Sequence, residues 1–451
     1  MLTPPESIDL AECLESRRLG WWHCKIALLC FVALLVEGMD YNALAVGVPA
    51  IVRTWGVSQS DIGIAFGLGN LGILIGTLLF SKIGDRFGRR PGIVASVFLY
   101  SILALATVVA SSIWELALLR FLAGVGMGGV IPNAIALLTE VSPARYKARF
   151  VIIPFIGIGL GVAAIGGVAA AFIPRFGWEA VFAIPGAAGL VVGLALLLWL
   201  PESIHFLALR RPRSPALLRM ERSLVAELGI DPRTQFVARR QERAAVGMAP
   251  LLQGRNRLIT PLIWTCFFFE SLTFVILVSW LPLLLESAGL TPTQASLTFA
   301  SVGIANIFSQ FAMALCLERF DFRAPFVASL ITIGCFVLFG LPWGGPQALV
   351  LVTILLVASA GGTHSSFNGL VGLFYPTDIR VTGVGIAAGF GRIAFIVGPI
   401  AAGYLIAYAP DFQTLTLTIA LPYLPVALAC WILARVYAGR AGGAREEALG
   451  R

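Results

Sequence analysis

Charged residues are scarce in this sequence. Asp, Glu, Lys and Arg make up 12% of its 451 residues, whereas apolar residues make up 58%. About a quarter of the residues are charged in an average soluble domain, and a surface with so few charges would aggregate in water. The composition therefore excludes a soluble globular fold and indicates a chain whose solvent is a lipid bilayer.

Motifs for metals and nucleotides are also missing. The chain has only three histidines, and its seven cysteines are scattered without paired spacing. It contains no His-Glu-x-x-His zinc motif and no Gly-Lys-Thr phosphate-binding loop. We therefore expect a protein that is not an enzyme and that needs no metal or cofactor.

Long apolar runs take up most of the chain. Twelve stretches have about the 20 residues that a helix needs to cross a bilayer, from Ile26–Val48 to Leu415–Val436. We predict an all-α membrane protein with twelve transmembrane helices. Its predicted parts are a tail (1–25), a six-helix half (26–200), a central loop (201–257), a second six-helix half (258–436) and a tail (437–451).

Positive charge is concentrated in alternate connections. Of the 32 Lys and Arg residues, 28 lie in the two termini and in the connections that follow even-numbered spans. The connections on the other face contain only Arg53 and Arg175. Because cytoplasmic loops carry an excess of Lys and Arg, we expect a multi-pass inner (plasma) membrane protein with both termini in the cytoplasm. The net charge of +8 reflects this topology, and we expect no nucleic-acid partner.

The two halves repeat each other in register. At an offset of 233 residues, Asp85-Arg86-Phe87 aligns with Glu318-Arg319-Phe320, and the intramembrane acid Glu37 aligns with Glu270. The central loop separates the halves. Its apolar residues between positions 217 and 228 have helical spacing, which favours a helix on the membrane surface, with a disordered tether as the alternative.

The connection after the second span carries a charged motif, Gly84-Asp85-Arg86-Phe87-Gly88-Arg89-Arg90. It combines a carboxylate that can pair at a helix end, a glycine for a tight turn and a group of guanidinium side chains. The motif resembles the loop signature of the major facilitator superfamily, in which this element latches the two halves. The resemblance implies a fold of two six-helix halves with inverted 3+3 repeats, and a conformational latch formed by Asp85, Arg86, Gly88, Arg89 and Arg90.

Further motifs narrow the resemblance. They are Glu37-Gly38-Met39-Asp40, Gly128-Gly129-Val-Ile-Pro132-Asn133-Ala134, the stretch from Tyr375 to Gly383, and Gly391-Arg392 with Gly398-Pro399. In this order they resemble the aromatic acid:proton symporters over nearly the whole chain. Glu37 stands where that family usually has aspartate, and Tyr41 and Asn42 stand where it has small residues.

Ionisable side chains inside the spans are the candidate functional residues, since each costs roughly 3 kcal/mol or more at mid-bilayer. Six of them and two polar companions are Glu37, Asp40, Arg120, Glu270, His364 and Arg392, with Asn133 and Asn368. Five of the six lie in the first, fourth, seventh and tenth spans, which line the cavity in the superfamily the motifs resemble.

Two chemical roles follow from these residue types. Residues three apart share a helix face, and neighbouring carboxylates resist being ionised together. We therefore predict proton coupling at Asp40, Glu37 and Glu270. A guanidinium fork matches a carboxylate, so we predict substrate binding at Arg120, Asn133, His364, Asn368 and Arg392. A permanent pair of Arg120 with a first-span acid, holding helices together, is the structural alternative. Glu140, Arg145 and Arg380 are predicted to form a cytoplasmic gate or surface pair.

The sequence thus predicts a symporter that imports a small organic anion, an aromatic carboxylate, together with protons by alternating access. Its expected partners are the anion, protons and the lipid bilayer, and we expect a monomer. A symporter for nicotinate-like or aliphatic acids is the nearest alternative. An efflux antiporter would usually show a Gly-Pro signature in the fifth span, where this chain has Gly157-Ile-Gly159-Leu-Gly161. A receptor that does not transport is the alternative from another class.

Overall fold

The computed structural model describes residues 7–17, 19–210, 214–228, 235–237, 247–254, 256–342 and 345–449. In these ranges the chain is almost entirely helical. The helices are α1 (Leu10–Ser16), α2 (Trp21–Trp55), α3 (Gln59–Phe87), α4 (Arg89–Thr107), α5 (Ile113–Met127), α6 (Val130–Val141), α7 (Lys147–Phe176), α8 (Ala180–Trp199), α9 (Ile204–Arg210), α10 (Pro215–Leu228), α11 (Asn256–Ser287), α12 (Pro292–Phe320), α13 (Arg323–Phe339), α14 (Pro346–Phe374), α15 (Thr377–Tyr408), α16 (Phe412–Ala420) and α17 (Tyr423–Leu449). Two short strands, β1 (Ser7–Asp9) and β2 (Gln235–Val237), pair in parallel.

Eleven helical stretches in the described ranges are long and apolar enough to cross a membrane. One consists of α5 and α6, which are separated by a turn at Gly128-Gly129. A twelfth apolar helix, α13, has 17 residues and occupies the place of the predicted ninth span. The predicted twelve-helix fold is confirmed.

Matching positions of the two halves adopt matching local structure. Ser58 caps the second span by accepting a hydrogen bond from the backbone N–H of Asp61, and Thr291, 233 residues later, accepts one from Gln294. Oxygen side chains at this position satisfy an N–H that has no partner within the helix. The repeat therefore extends to helix capping.

The end of the second span shows how the repeat tolerates a lost glycine. Gly88 has φ +119°, and Asp321, the matching residue after α12, has φ +47°. Positive φ values favour glycine, and aspartate is among the few other residues that adopt them. The charged loop therefore keeps a residue with positive φ at this position in both halves, although only the first copy has glycine.

The helix ends define two faces of the molecule. We call the face with Asp85, Arg145 and Arg380 the basic face, and the face with Arg53 and Glu286 the opposite face. Near the opposite face one apolar cluster joins the halves, with Ile62 and Phe66 from the first half and Trp280 from the second. Near the basic face each half has a buried cluster of its own. The halves therefore pack together at the opposite face.

Small residues allow close contact between the halves. A Cβ on Gly63 of α3 would lie 2.7 Å from the carbonyl oxygen of Pro399 in α15, and one on Gly166 of α7 would lie 2.7 Å from the backbone nitrogen of Ala300 in α12. Such contacts are typical of helix packing in membranes. An ion pair between Arg53 and Glu286 also spans the halves on this face.

A small helical cap covers part of the basic face of the first half. Leu217 and Leu224 of α10 are buried in a cluster with Leu10 and Leu14 of α1 and with α9. The Arg17 guanidinium donates to the Ser223 hydroxyl at 3.1 Å. The helix predicted in the central loop is therefore present, and its apolar face packs on the N-terminal segment.

Candidate functional site

Asp40 and Arg120 form a buried ion pair inside the first half. Asp40 lies midway along α2 and Arg120 midway along α5, and Nη1 of Arg120 is 3.2 Å from Oδ1 of Asp40. The two residues are 1% and 6% exposed. The structure thus brings together a predicted proton-coupling residue and a predicted substrate-binding residue, in the arrangement that was the structural alternative for Arg120.

Nη2 of Arg120 is also engaged, whereas its buried Nε has no hydrogen-bond partner among the described residues. Nη2 donates to the Thr107 hydroxyl at 2.7 Å and to the carbonyl oxygen of Leu103 at 3.5 Å. The guanidinium carbon lies 4.8 Å from the centre of the Phe182 ring, within the range of a cation–π contact. An anion would have to displace these partners before Arg120 could bind it.

Glu37 and Arg392 are placed differently. Glu37 is buried, and its Oε2 has no hydrogen-bond partner among the described residues. Arg392 of α15 is exposed and interacts electrostatically with Glu37, Tyr41 and His364. These partners lie on two helices, α2 in the first half and α14 in the second, so the Arg392 guanidinium faces the space between the two halves.

A second polar pair lies in the other half. Nδ1 of His364 in α14 is 2.8 Å from Oε2 of Glu270 in α11. The His364 ring stacks on Phe274 at 4.7 Å between ring centres and lies 6.0 Å from Phe395. The His364 side chain is 32% exposed, which leaves it open to a ligand beside these aromatic rings.

A pocket next to the ion pair is lined by residues that we did not predict. Tyr41 of α2 donates its hydroxyl hydrogen to Oδ1 of Asn70 in α3 at 3.1 Å, and both residues line the pocket with Asp40, Arg120 and Ser279. Asn70 is a polar residue in an apolar, glycine-rich span, and this contrast is the sequence feature that could have identified it as a pocket residue. Tyr41 was noted only as a departure from the resembled family.

The remaining two predicted substrate-binding residues are the asparagines Asn133 and Asn368. The Asn133 amide group donates to the carbonyl oxygens of Phe80 and Gly129 at 3.1 and 2.8 Å, and the residue is buried where α6 packs on α3 and α4. This position favours helix packing over the predicted contact with substrate. Asn368 lies on α14, and its side chain is outside the described part of the chain.

The charged loop contacts the first half and the start of the central loop. The Glu202 carboxylate accepts hydrogen bonds from the backbone N–H groups of Arg89 and Arg90 and so caps α4. Arg89 is 2.5 Å from Asp85 and 3.3 Å from Glu140. Arg86 lies over the Phe87 ring, and Arg90 donates to the carbonyl oxygen of Leu197.

The predicted gate residues have different partners from those we expected. Glu140 binds Arg89 and accepts a hydrogen bond from the Ser203 hydroxyl, whereas Arg145 lies over the ring of the adjacent Tyr146. Arg380 donates to the carbonyl oxygen of Tyr375. In this conformation the loop after α3 reaches Glu140 through Arg89, and the gate or surface pair of Glu140, Arg145 and Arg380 stays a prediction.

We expect Gly88→Ala to destabilise the protein more than Gly289→Ala. Both glycines have positive φ, +119° and +100°, so alanine costs about 1–3 kcal/mol of backbone strain at either position. A Cβ on Gly88 would also clash with the Glu202 carboxylate, whereas one on Gly289 meets no atom within 4 Å. Thermal unfolding of both variants in detergent measures the difference. Equal melting temperatures would contradict the role of the Glu202 contact.

A comparison with known families decides the identity of the fold. The sequence profile described as Major Facilitator Superfamily matches residues 30–291 and 263–449. The chain belongs to this superfamily. Members of the superfamily are transporters, and the prediction that the chain is not an enzyme is confirmed.

Relatives within the superfamily transport aromatic acids. The chain is 31% identical to the 4-hydroxybenzoate transporter PcaK of Pseudomonas aeruginosa, over 92% of this chain and 94% of that one. It is also 31% identical to the gallate transporter of Pseudomonas putida, over 95% of this chain and 96% of that one. The resemblance to the aromatic acid transporters is therefore confirmed.

A solved structure has the same fold. A bacterial homologue of the human lysosomal transporter Spinster, in an inward-facing and unoccupied conformation, superposes with a TM-score of 0.72. The alignment covers 94% of this major facilitator chain and 99% of the other, at 16% sequence identity.

In the described part of our chain, no group of three or more His, Cys, Asp or Glu side chains could hold a metal ion.

Proposed function

We propose that this transporter imports a small aromatic carboxylate together with protons across the inner (plasma) membrane by alternating access. The observation that carries the proposal is an exposed guanidinium, that of Arg392, which interacts electrostatically with the buried carboxyl group of Glu37. Two relatives named as 4-hydroxybenzoate and gallate transporters support the substrate class.

Arg392 would bind the substrate carboxylate. A carboxylate pairs with a guanidinium through two parallel hydrogen bonds, and among the described residues Arg392 has no hydrogen bond or ion pair shorter than 4 Å. Arg120, by contrast, is held by Asp40 and Thr107. We therefore assign the anion to Arg392 and give Arg120 the role of fixing Asp40 between the first and fourth spans.

Glu37 would carry the proton. A buried carboxylate without hydrogen-bond donors is costly, so its charge must be balanced either by a proton or by Arg392. When the substrate carboxylate occupies Arg392, Glu37 loses that cation and takes up a proton. Anion and proton would then cross together, which is the coupling that symport requires. His364 and Glu270 supply a second exchangeable pair on the other side of the cavity.

The packing supports a conformation that is open at the basic face. The halves share one apolar cluster at the opposite face and have separate clusters at the basic face. If the basic face is cytoplasmic, as its positive charge favours, this conformation would release substrate into the cell. The loop with Asp85, Arg86, Gly88, Arg89 and Arg90 would bind the second half when that face closes.

The experiment is uptake of labelled benzoate-type acids into proteoliposomes with and without an inward proton gradient. We expect accumulation only with the gradient, and dissipation of the gradient by a protonophore should abolish it. Nicotinate and an aliphatic acid in the same assay test the alternative substrates. Equal uptake with and without the proton gradient would contradict proton coupling. Substrate binding without counterflow would indicate a receptor that does not transport.

A further inference from the structure

Tyr41 and Asn70 form a neutral polar pair in the wall of the pocket beside the Asp40–Arg120 ion pair. The Tyr41 hydroxyl donates to Oδ1 of Asn70 at 3.1 Å. Nδ2 of Asn70 donates to the carbonyl oxygen of Phe66 at 3.2 Å, one turn back in the same helix. Both side chains are therefore held in one orientation before any ligand arrives.

This orientation determines which group remains open. A phenolic hydroxyl has one donor and can also accept, and the donor of Tyr41 is used by Asn70. Its oxygen still has lone pairs, so the pair presents an acceptor toward the pocket. Much of the remaining wall is apolar and includes Phe66, Ile73 and Val278. An acceptor in an apolar wall favours a ligand hydroxyl at that point.

The pair and Arg392 lie in different halves of the molecule. Tyr41 is on α2 in the first half and Arg392 on α15 in the second. The pocket beside Tyr41 is lined from the second half too, by Val278 and Ser279 of α11. A ligand with an anionic end and a hydroxyl end would therefore contact both halves. Such a ligand would favour conformations in which the halves approach each other, which is how binding drives alternating access.

We propose that Tyr41, oriented by Asn70, is a specificity-determining residue that accepts a hydrogen bond from a ring hydroxyl of the aromatic acid. This inference rests on the proposed function and narrows its substrate class to hydroxylated aromatic carboxylates. A site that hydrogen-bonds a ligand hydroxyl discriminates against the analogue without it. Since one neutral hydrogen bond is involved, the discrimination is about 5- to 10-fold.

The test is binding of benzoate, 3-hydroxybenzoate and 4-hydroxybenzoate to the purified transporter by calorimetry. The wild type should bind one hydroxylated acid about 5- to 10-fold more tightly than benzoate. Tyr41→Phe should lose this preference and keep its affinity for benzoate. Asn70→Leu should reduce the preference, because the Tyr41 hydroxyl is then no longer oriented. Tyr100→Phe, at a fully buried tyrosine of α4 outside the pocket, is the control that should keep the preference.

The outcomes separate the two proposals. A preference that survives in Tyr41→Phe, or that is absent from the wild type, would overturn the specificity role while leaving aromatic acid transport in place. If none of the three acids binds to protein that a thermal unfolding transition shows to be folded, both the specificity role of Tyr41 and the proposed transport of aromatic acids are overturned.

Discussion

Arg392→Gln is expected to lower substrate uptake by about 100-fold. Removing one partner of a hydrogen-bonded charge pair costs about 2–5 kcal/mol of binding, and 1.4 kcal/mol corresponds to about tenfold in affinity. Glu37 would also lose the cation that balances its charge, so it would stay protonated throughout the cycle. The residual uptake should therefore no longer respond to the proton gradient.

Two further variants isolate the role of the guanidinium. Arg392→Lys keeps the charge but loses the planar fork, and we expect a loss intermediate between wild type and Arg392→Gln. Arg435→Gln removes an exposed arginine of α17 that lies over the Trp431 ring, and it should retain uptake. Initial rates in proteoliposomes measure all three. Uptake by Arg392→Gln within twofold of the wild type would assign the anion to another residue, and Arg120 would then be the next candidate.

Asp40→Asn is expected to destabilise the transporter and to abolish accumulation. Breaking a buried ion pair by removing one partner costs about 3–5 kcal/mol, because the Arg120 charge would remain buried without its anion. Thermal unfolding in detergent should show a clearly lower melting temperature. Accumulation of labelled acid should be lost even in the fraction that stays folded.

A double variant distinguishes stability from coupling. Asp40→Asn combined with Arg120→Gln removes both charges, so it should recover a large part of the lost stability. If the pair only holds α2 and α5 together, the double variant should also recover accumulation. If Asp40 takes part in coupling, the double variant should exchange substrate by counterflow without accumulating it. Unchanged accumulation by the single variant would remove Asp40 from the mechanism.

The sequence by itself determined the architecture. Twelve apolar runs and a bias in Lys and Arg are sufficient because a helix needs about 20 apolar residues to cross the bilayer. The repeat at an offset of 233 residues predicted the symmetry that the structure shows in the caps at Ser58 and Thr291. The rarity of charge inside spans also identified the candidate residues, since each such side chain is costly.

Only the tertiary structure decided which of these residues meet. Asp40 and Arg120 are 80 positions apart, and Arg89 and Glu140 are 51 apart. Helical periodicity tells which residues share a face, but the rotation and crossing of neighbouring helices decide which side chains come within 4 Å. For this reason residue type alone predicted the same role for Arg120 and Arg392, whereas the packing pairs the first with Asp40 and leaves the second open toward Glu37.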